Sequence, residues 1–465
     1  MRALAVGFAL ALVLSLLLTP GVRRLALWLG ALDPFSARKV VAPSAVPRLG
    51  GLGIAVAFYV GVGVLWSLGS VVARATLHPG TPVGLILLGG VPILLLGIVD
   101  DLRGLRALPK LAVQIAVGVS LWAAGLRVLG TSSPAGSIEL YGVLSCVVTV
   151  AWLVGVVNAL NLIDGLDGLA SGVALFALGS TTVAALLRGE LLLSLITGTL
   201  AGAVLGFLRF NWTPASIMMG DTGSLFLGYV LATTSIWSVR KSATAVLVVF
   251  PVVALGLPLL DTSLTISRRL LAGRPVMQAD RDHVHHRLLG HGLPVRRAVL
   301  LLYGVCAVFA GLSLAMVLSE RASGRYFLLL AVGFALLVAY ALGYLRAGSQ
   351  GLLAALRQRR RTQELLQKLD RASAELQAAP TTAAVLLTVE SFAAALGRPL
   401  RLELKESPLA ADAAAQTRYP VGTRDAVLGH LVVPAPESEL SPDERTLLQL
   451  FCDVVAQALQ RLCRP

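Results

Sequence analysis

Apolar residues run in long blocks along most of the chain, separated by short polar turns. A helix needs roughly 20 apolar residues to cross the hydrocarbon core. Runs of that kind fall near 3–19, 50–68, 82–99, 108–129, 142–160, 166–187, 190–208, 222–238, 243–263, 298–318 and 325–345, so eleven spans are expected. The first run is long, lacks a small-x-small cleavage site and is followed by Arg23–Arg24, which reads as a cytoplasmic stop and favours a retained span over a cleaved signal. After Leu345 the pattern changes. Residues 352–378 read as a basic amphipathic helix that Pro380 breaks, and Ala383–Leu396 as a short helix. Leu400–Lys405 and Ala426–Val433 alternate like strands, and a final helix runs from Pro442 to Leu462, with Ser441 and Glu444 forming a capping box. The expected organisation is an all-α polytopic membrane domain over 1–345, a basic linker helix over 346–380 and a cytoplasmic α/β domain over 381–465.

Composition agrees with this pattern. Of 465 residues, 56 % are hydrophobic and 14 % charged, with a mean hydropathy of +0.80; a soluble domain carries about 25 % charged residues. Ordinary globular, fibrous and disordered classes are excluded. The net charge of +14 is concentrated in residues 1–345, which hold 24 basic and 12 acidic residues, against 15 and 13 in the tail. It therefore lies in the loops between spans, as lipid headgroups or anionic substrates require, and not in a nucleic-acid footprint. With the N-terminus outside, internal loops carry sixteen basic residues and external segments eight, which places the C-terminus in the cytoplasm. Cys146, Cys306, Cys452 and Cys463 have no spacing that suggests a disulfide framework or a metal site.

The informative residues are carboxylates at span ends: Asp100 and Asp101 in GIVDDLRG, Asp164 and Asp167 in NALNLIDGLDGLA, Asp221 in MMGDTGSLFLG and Asp261 in LPLLDTSLTISRR. An Asp at a helix centre costs roughly 2.5–3.5 kcal/mol on insertion scales, and less near the interface. A single one reads equally well as a headgroup-depth cap. All six, however, fall on the cytoplasmic side of the expected topology, where they would repel one another unless a cation joined them. All-oxygen ligation suits Mg²⁺, with Mn²⁺ as an alternative.

The loop after Asp261 is the complement. It holds Arg268, Arg269, Arg274, Arg281, His283, His285, His286, Arg287, Arg296 and Arg297. Part of this is the positive-inside rule, but DRDHVHHRL offers several donors to a diphosphate or a sugar. Zinc is the minor alternative there, since no Cys accompanies the histidines. Lys110 reads either as a phosphate-binding point charge or as a snorkelling interfacial lysine. Carboxylates for a cation, cations for phosphates and a membrane setting point to phosphoryl transfer involving a lipid.

These residues resemble a known family, the polyprenyl-phosphate N-acetylhexosamine-1-phosphate transferases. The motifs match in order over about residues 1–345: PRLGG (Pro47–Gly51), DDLRGLRALPK (Asp100–Lys110), NALNLIDGLDGLASG (Asn158–Gly172), GDTGSLFLG (Gly220–Gly228) and DRDHVHHRL (Asp280–Leu288). The H-x-H-H-R loop is similar to that of bacterial enzymes using undecaprenyl phosphate and UDP-N-acetylglucosamine. The phospho-N-acetylmuramoyl-pentapeptide transferases, with a run of adjacent histidines, rank second. The resemblance implies attack of undecaprenyl phosphate on the β-phosphate of a UDP-sugar, giving undecaprenyl-diphospho-sugar and UMP, at the inner membrane of a bacterium. It implies Asp221 as the main Mg²⁺ ligand with Asn161 assisting, and Asp100 and Asp101 beside the reacting phosphates, with Asp100 as base or as covalent nucleophile. Asp164 and Asp167 would face the nucleotide, while Lys110, Asn158, His283, His285, His286 and Arg287 would complete the substrate site. The implied partners are a UDP-sugar, the polyprenyl phosphate lipid and the membrane, with a homodimer left open.

One departure stands out: Arg38–Lys39 is followed by Val40–Val41, so the family's basic-x-His pattern lacks its His. The tail resembles the closing part of a GAF-like sensor module, on the strength of SPDERTLLQLFCDVVAQAL. Two other classes compete. An ion-coupled secondary transporter would place its acidic residues near the midplane and often shows paired repeats; a signalling receptor would use the membrane part as a bare anchor and would not need six carboxylates at one interface.

Overall fold

The computed structural model describes residues 1–32, 46–68, 81–133, 136–240, 245–271, 283–290, 292–319, 324–342, 363–404, 416–422, 427–436, 440 and 442–463. Arg38, Lys39, Arg274, Asp280, Arg281, residues 352–362 and the Ser441 cap lie outside them. Two compact units emerge, Met1–Ala347 and Gly348–Pro465.

The first unit is helical because its apolar blocks must satisfy their own backbone hydrogen bonds in a lipid setting. Its helices are α1 (Arg2–Trp28), α2 (Gly50–Ser67), α3 (Val83–Arg103), α4 (Ala107–Ala123), α5 (Gly142–Ile163), α6 (Leu169–Leu187), α7 (Leu191–Asn211), α8 (Gly220–Arg240), α9 (Ala245–Ala254), α10 (Gly256–Leu271), α11 (Val284–Gly290), α12 (Val295–Leu318) and α13 (Gly324–Ala341). Over the described residues, each apolar run of the sequence is mostly helical. The ninth is divided: α9 and α10 meet at Leu255, beside Pro251 and Gly256. Among the described residues, α1, α2, α3, α5, α6, α7 and α12 are long and apolar enough to cross a membrane. An antiparallel hairpin, β1 (Gly130–Ser133) and β2 (Gly136–Glu139), joins α4 to α5.

The bundle centres on α8, which packs against α2, α3 and α5. Its side chains Leu225, Phe226, Tyr229 and Ala232 are fully buried. Surrounded by protein, α8 tolerates hydroxyls: Thr233 donates to the Tyr229 carbonyl at 2.8 Å and Thr234 to the Val230 carbonyl at 2.6 Å, so neither is left unsatisfied. Trp152 of α5 donates to Ser235 Oγ at 2.7 Å, pinning the two helices together.

The second unit holds a helix over 363–378, α14, followed by α15 (Thr382–Leu396), β3 (Arg401–Leu404), β4 (Thr417–Gly422), β5 (Val427–Val433) and α16 (Pro442–Cys463). The sheet is antiparallel in the order β3-β5-β4, with Leu431 opposite both Leu402 and Tyr419. Phe392 of α15 stacks on Phe451 of α16 with centroids 3.9 Å apart. Leu365, Leu369, Ala372 and Leu376 of α14 belong to the same core, so the apolar face of that helix is covered by its own unit.

Candidate active site

Three helix ends meet at one polar centre. Asp100 and Asp101 close α3, Lys110 opens α4 and Asp221 opens α8. The segment before α8 is fixed by PRLGG through reciprocal backbone bonds. Gly50 and Gly51 donate to the Met218 and Met219 carbonyls at 3.0 and 2.9 Å, and Met218 N–H donates to the Pro47 carbonyl at 2.8 Å. Gly51 is needed for this approach: a Cβ there would collide with the Gly223 backbone and stand 2.5 Å from the Thr222 carbonyl carbon.

Asp101 is spent on the N-terminus of α8. Its Oδ1 accepts from Asp221 N–H at 2.9 Å; its Oδ2 accepts from Thr222 N–H at 2.9 Å and from Thr222 Oγ1–H at 2.6 Å. A carboxylate there satisfies orphan backbone donors and complements the helix dipole. The structure thus places Asp101, expected beside the reacting phosphates, as the cap that orients Asp221. Asp100 accepts from Leu105 N–H at 2.5 Å through Oδ1, while its Oδ2 lies 2.7 Å from Lys110 Nζ. Lys110 Nζ also reaches Asp221 Oδ2 at 2.9 Å. Two carboxylates facing one another repel unless a positive charge lies between them, and Lys110 supplies it. Lys110 and Asp221 keep 23 % and 21 % of their side chains exposed, against 8 % for Asp100, so the cluster opens at the Lys110–Asp221 end.

The last turns of α5 back this cluster. Asn161 donates to Ser224 Oγ at 3.0 Å and its amide faces the Asp221 carboxylate. Asn158 lies a turn deeper and donates to Gln114 Oε1 of α4 at 2.6 Å and to the Val154 carbonyl at 2.8 Å. Gln114 is completely buried, and its bond to Asn158 ties α4 to α5.

Beyond Asn161, Gly165 lies under the His285 ring, where a Cβ would come within 2.5 Å of its Cε1. This contact brings the Asp164–Asp167 loop to the histidine motif. His283 and His285 lie parallel, 3° apart in plane with centroids at 6.0 Å, and His286 follows at 4.3 Å from His285. Asp261 of α10 takes His283 Nδ1 at 2.9 Å and Val284 N–H at 2.9 Å. Burial pushes the His285 imidazole down to about 3, and its Nδ1 has no hydrogen-bond partner among the described residues. Arg287 donates to the Leu342 carbonyl at 3.3 Å. Asp167 is turned elsewhere: its Oδ2 accepts from Ala215 N–H at 2.9 Å, in the segment after α7. Asn211 completes that clamp, accepting from Gly168 N–H and Ser171 Oγ at 3.1 and 2.7 Å and donating to the Ile217 carbonyl at 3.0 Å.

The six carboxylates therefore do not gather around one centre. Asp100, Asp101 and Asp221 share the Lys110 cluster, Asp261 belongs to the histidines, Asp164 borders them through Gly165, and Asp167 holds a loop. Among the described residues no three His, Cys, Asp or Glu side chains converge as a ready-made metal site. Two hard oxygens, on Asp100 and Asp221, nevertheless converge on one positive point with an amide beside them. That donor set fits Mg²⁺, which takes one or two carboxylates and fills the rest of its shell from phosphates and water. Sequence reasoning did not place Gln114, Thr222, Ser224 or Asn211 at the site. Only Asn211, a lone amide closing an apolar run, carried a signal of its own.

Fold and cluster together define a multi-span helical membrane protein whose polar centre is assembled from helix ends. The model of glycosyl transferase family 4 matches residues 83–239, which include all of these cluster residues. The chain is 38 % identical over 309 residues to a probable undecaprenyl-phosphate N-acetylglucosaminyl 1-phosphate transferase of Bacillus subtilis, covering 66 % of this chain and 83 % of that protein. It is 37 % identical to a decaprenyl-phosphate N-acetylglucosaminephosphotransferase of Mycolicibacterium smegmatis, over 65 % of this chain and 79 % of the relative. A phospho-N-acetylmuramoyl-pentapeptide-transferase of Streptococcus thermophilus is 39 % identical over 30 % of this chain and 45 % of its own length. The chain belongs to glycosyl transferase family 4, the polyprenyl-phosphate phosphosugar transferases that its motifs resemble.

Proposed function

We propose that this protein transfers N-acetylglucosamine-1-phosphate from UDP-N-acetylglucosamine to undecaprenyl phosphate. A lipid phosphate oxygen bonds to the β-phosphorus of the donor, the bond from that phosphorus to the bridging oxygen breaks, and UMP departs with that oxygen. Undecaprenyl-diphospho-N-acetylglucosamine remains in the membrane as the first intermediate of an envelope polysaccharide. The observation that carries this reading is Lys110 Nζ held between Asp100 and Asp221 at 2.7 and 2.9 Å, at the open end of the cluster. The names of the relatives supply the acceptor and the sugar.

In this reading the chain works by charge placement. A phosphate monoester is largely ionised near neutral pH, its second pKa being about 6, so deprotonating the acceptor has little to add. Asp100 keeps Lys110 on station, and the Lys110 ammonium meets diphosphate oxygens as a point charge. Asp101 and PRLGG hold Asp221 in place. Asp221, with Asp100 and Asn161, would hold Mg²⁺, which when bound supplies charge neutralisation for the diphosphate. Asp164 and the histidine motif take the nucleotide-sugar side. The membrane unit is read as eleven spans with the N-terminus outside and the site at the cytoplasmic face, and the tail as a GAF-like module in the cytoplasm. Purified protein with Mg²⁺ and undecaprenyl phosphate, offered a panel of UDP-sugars, tests the proposal. UMP release fastest with UDP-N-acetylglucosamine supports it, release only with the muramoyl-pentapeptide donor moves the chain to the other branch, and none from any donor overturns it.

A further inference from the structure

The geometry points to Asp261 as a positioning residue for the sugar-nucleotide side of the site, an inference that rests on the transferase reading above. Asp261 is 3 % exposed and His283 5 %, so both groups of their 2.9 Å contact are withdrawn from water. A buried carboxylate must be fully engaged to be tolerated. Here each oxygen has a partner from the histidine motif: Oδ2 faces His283 Nδ1, and Oδ1 accepts from the neighbouring Val284 N–H. One side chain of α10 thus grips both the ring and the backbone of the segment that enters α11. With Nδ1 committed to Asp261, His283 has only Nε2 to offer a substrate, and its ring plane is fixed. The parallel His285 ring lies over Gly165, so the orientation set at Asp261 is carried to the loop that begins at Asp164.

The consequence is asymmetric. Among the described residues the bonds of Asp100, Lys110 and Asp221 do not involve Asp261, so its loss should disturb the nucleotide-sugar and spare the lipid phosphate. Imidazoles oriented by a carboxylate at metal sites lose about 10- to 100-fold in function when that carboxylate is removed, and an effect of that order is expected. The test uses the full chain in lipid nanodiscs, comparing wild type with Asp261→Ala, Asp261→Asn, His283→Ala and the double variant Asp261→Ala/His283→Ala. Expected results are a KM for UDP-N-acetylglucosamine raised about tenfold or more in Asp261→Ala, an unchanged KM for undecaprenyl phosphate, partial recovery in Asp261→Asn, and a double variant no worse than His283→Ala. Equal rises in both KM values, or multiplicative losses in the double variant, overturn the assignment. A readout independent of turnover is the ¹⁵N spectrum of labelled histidine. Wild type should show a histidine protonated at Nδ1 whose signal disappears in His283→Ala and moves in Asp261→Asn; a His283 with Nδ1 bare in wild type overturns it. If no UDP-sugar yields UMP, the transferase reading fails by itself, and the spectrum still decides whether Asp261 orients His283.

Discussion

Substituting Gly51 by Ala adds one methyl group at the tightest backbone crossing in the site. The new Cβ would stand 2.5 Å from the Thr222 carbonyl carbon and closer still to Gly223, whereas ordinary contact begins at 3.4 Å. The opposing atoms are backbone, so no side chain can swing aside, and α2 and the start of α8 must separate by about 0.9 Å or more. Asp221 opens that turn, so its carboxylate shifts relative to Lys110 and to the amide of Asn161. A misplacement of about 1 Å at a reacting centre costs about 100-fold in rate, so Gly51→Ala should lower kcat for UMP release by about that factor. The control lies on the same helix: a Cβ at Gly63 meets nothing within 4 Å, and Gly63→Ala should leave turnover unchanged and stabilise α2 by up to about 1 kcal/mol. Both variants are purified in the same detergent, checked for monodispersity and thermal unfolding, and assayed with UDP-N-acetylglucosamine and undecaprenyl phosphate. Full turnover in Gly51→Ala refutes the reasoning, as does an equal loss in Gly63→Ala.

Other substitutions probe the cluster and its surroundings. Asp221→Ala should abolish turnover while the protein remains inserted and folded, and retained full activity would refute its role. Lys110→Met leaves Asp100 and Asp221 facing each other without their cation; kcat should fall by about 10²–10³ and recover partly at raised Mg²⁺, and a loss under threefold contradicts the bridging role. Chelation with EDTA should stop UMP release, and either Mg²⁺ or Mn²⁺ should restore it; undiminished release in excess chelator refutes the metal proposal. His285 is buried with its imidazole pushed from 6.5 down to about 3, chiefly by burial. Below pH 6.5 the unfolded chain therefore binds more protons than the folded one, and stability is lost as pH falls toward 3, by about 1.4 kcal/mol per unit. His285→Gln should flatten the decline of Tm between about pH 6.5 and 4.5, and parallel slopes in both proteins contradict that assignment.

Much of the helical framework was legible in the sequence, because apolar run length and helix formation share one cause in a lipid setting: backbone groups with no water must bond within the segment. The division of the ninth run at Leu255 was less visible, although Pro251, Gly256 and Pro258 punctuate it. The residue types of the site were legible too, since Asp100, Lys110 and Asp221 stand at the ends of apolar runs where a charge is costly. Their division of labour was not. Asp101 and Asp221 are 120 residues apart in sequence, and only the packing of α3 against α8 reveals that one carboxylate caps the helix that presents the other. The same holds for Asp167, which looks like a nucleotide ligand in the motif yet binds the backbone of Ala215. Gln114 and Ser224 gave no signal, because a buried amide or hydroxyl between two helices reads in sequence as an ordinary interruption.

The most direct measurement follows the β-phosphate. With donor labelled at that phosphorus, undecaprenyl phosphate and Mg²⁺, the account predicts that the label enters the lipid product in step with UMP release, and that neither occurs in Asp221→Ala. Label remaining in the nucleotide pool as UDP while sugar reaches the lipid would mean that the sugar alone is transferred, and would contradict the account at its centre.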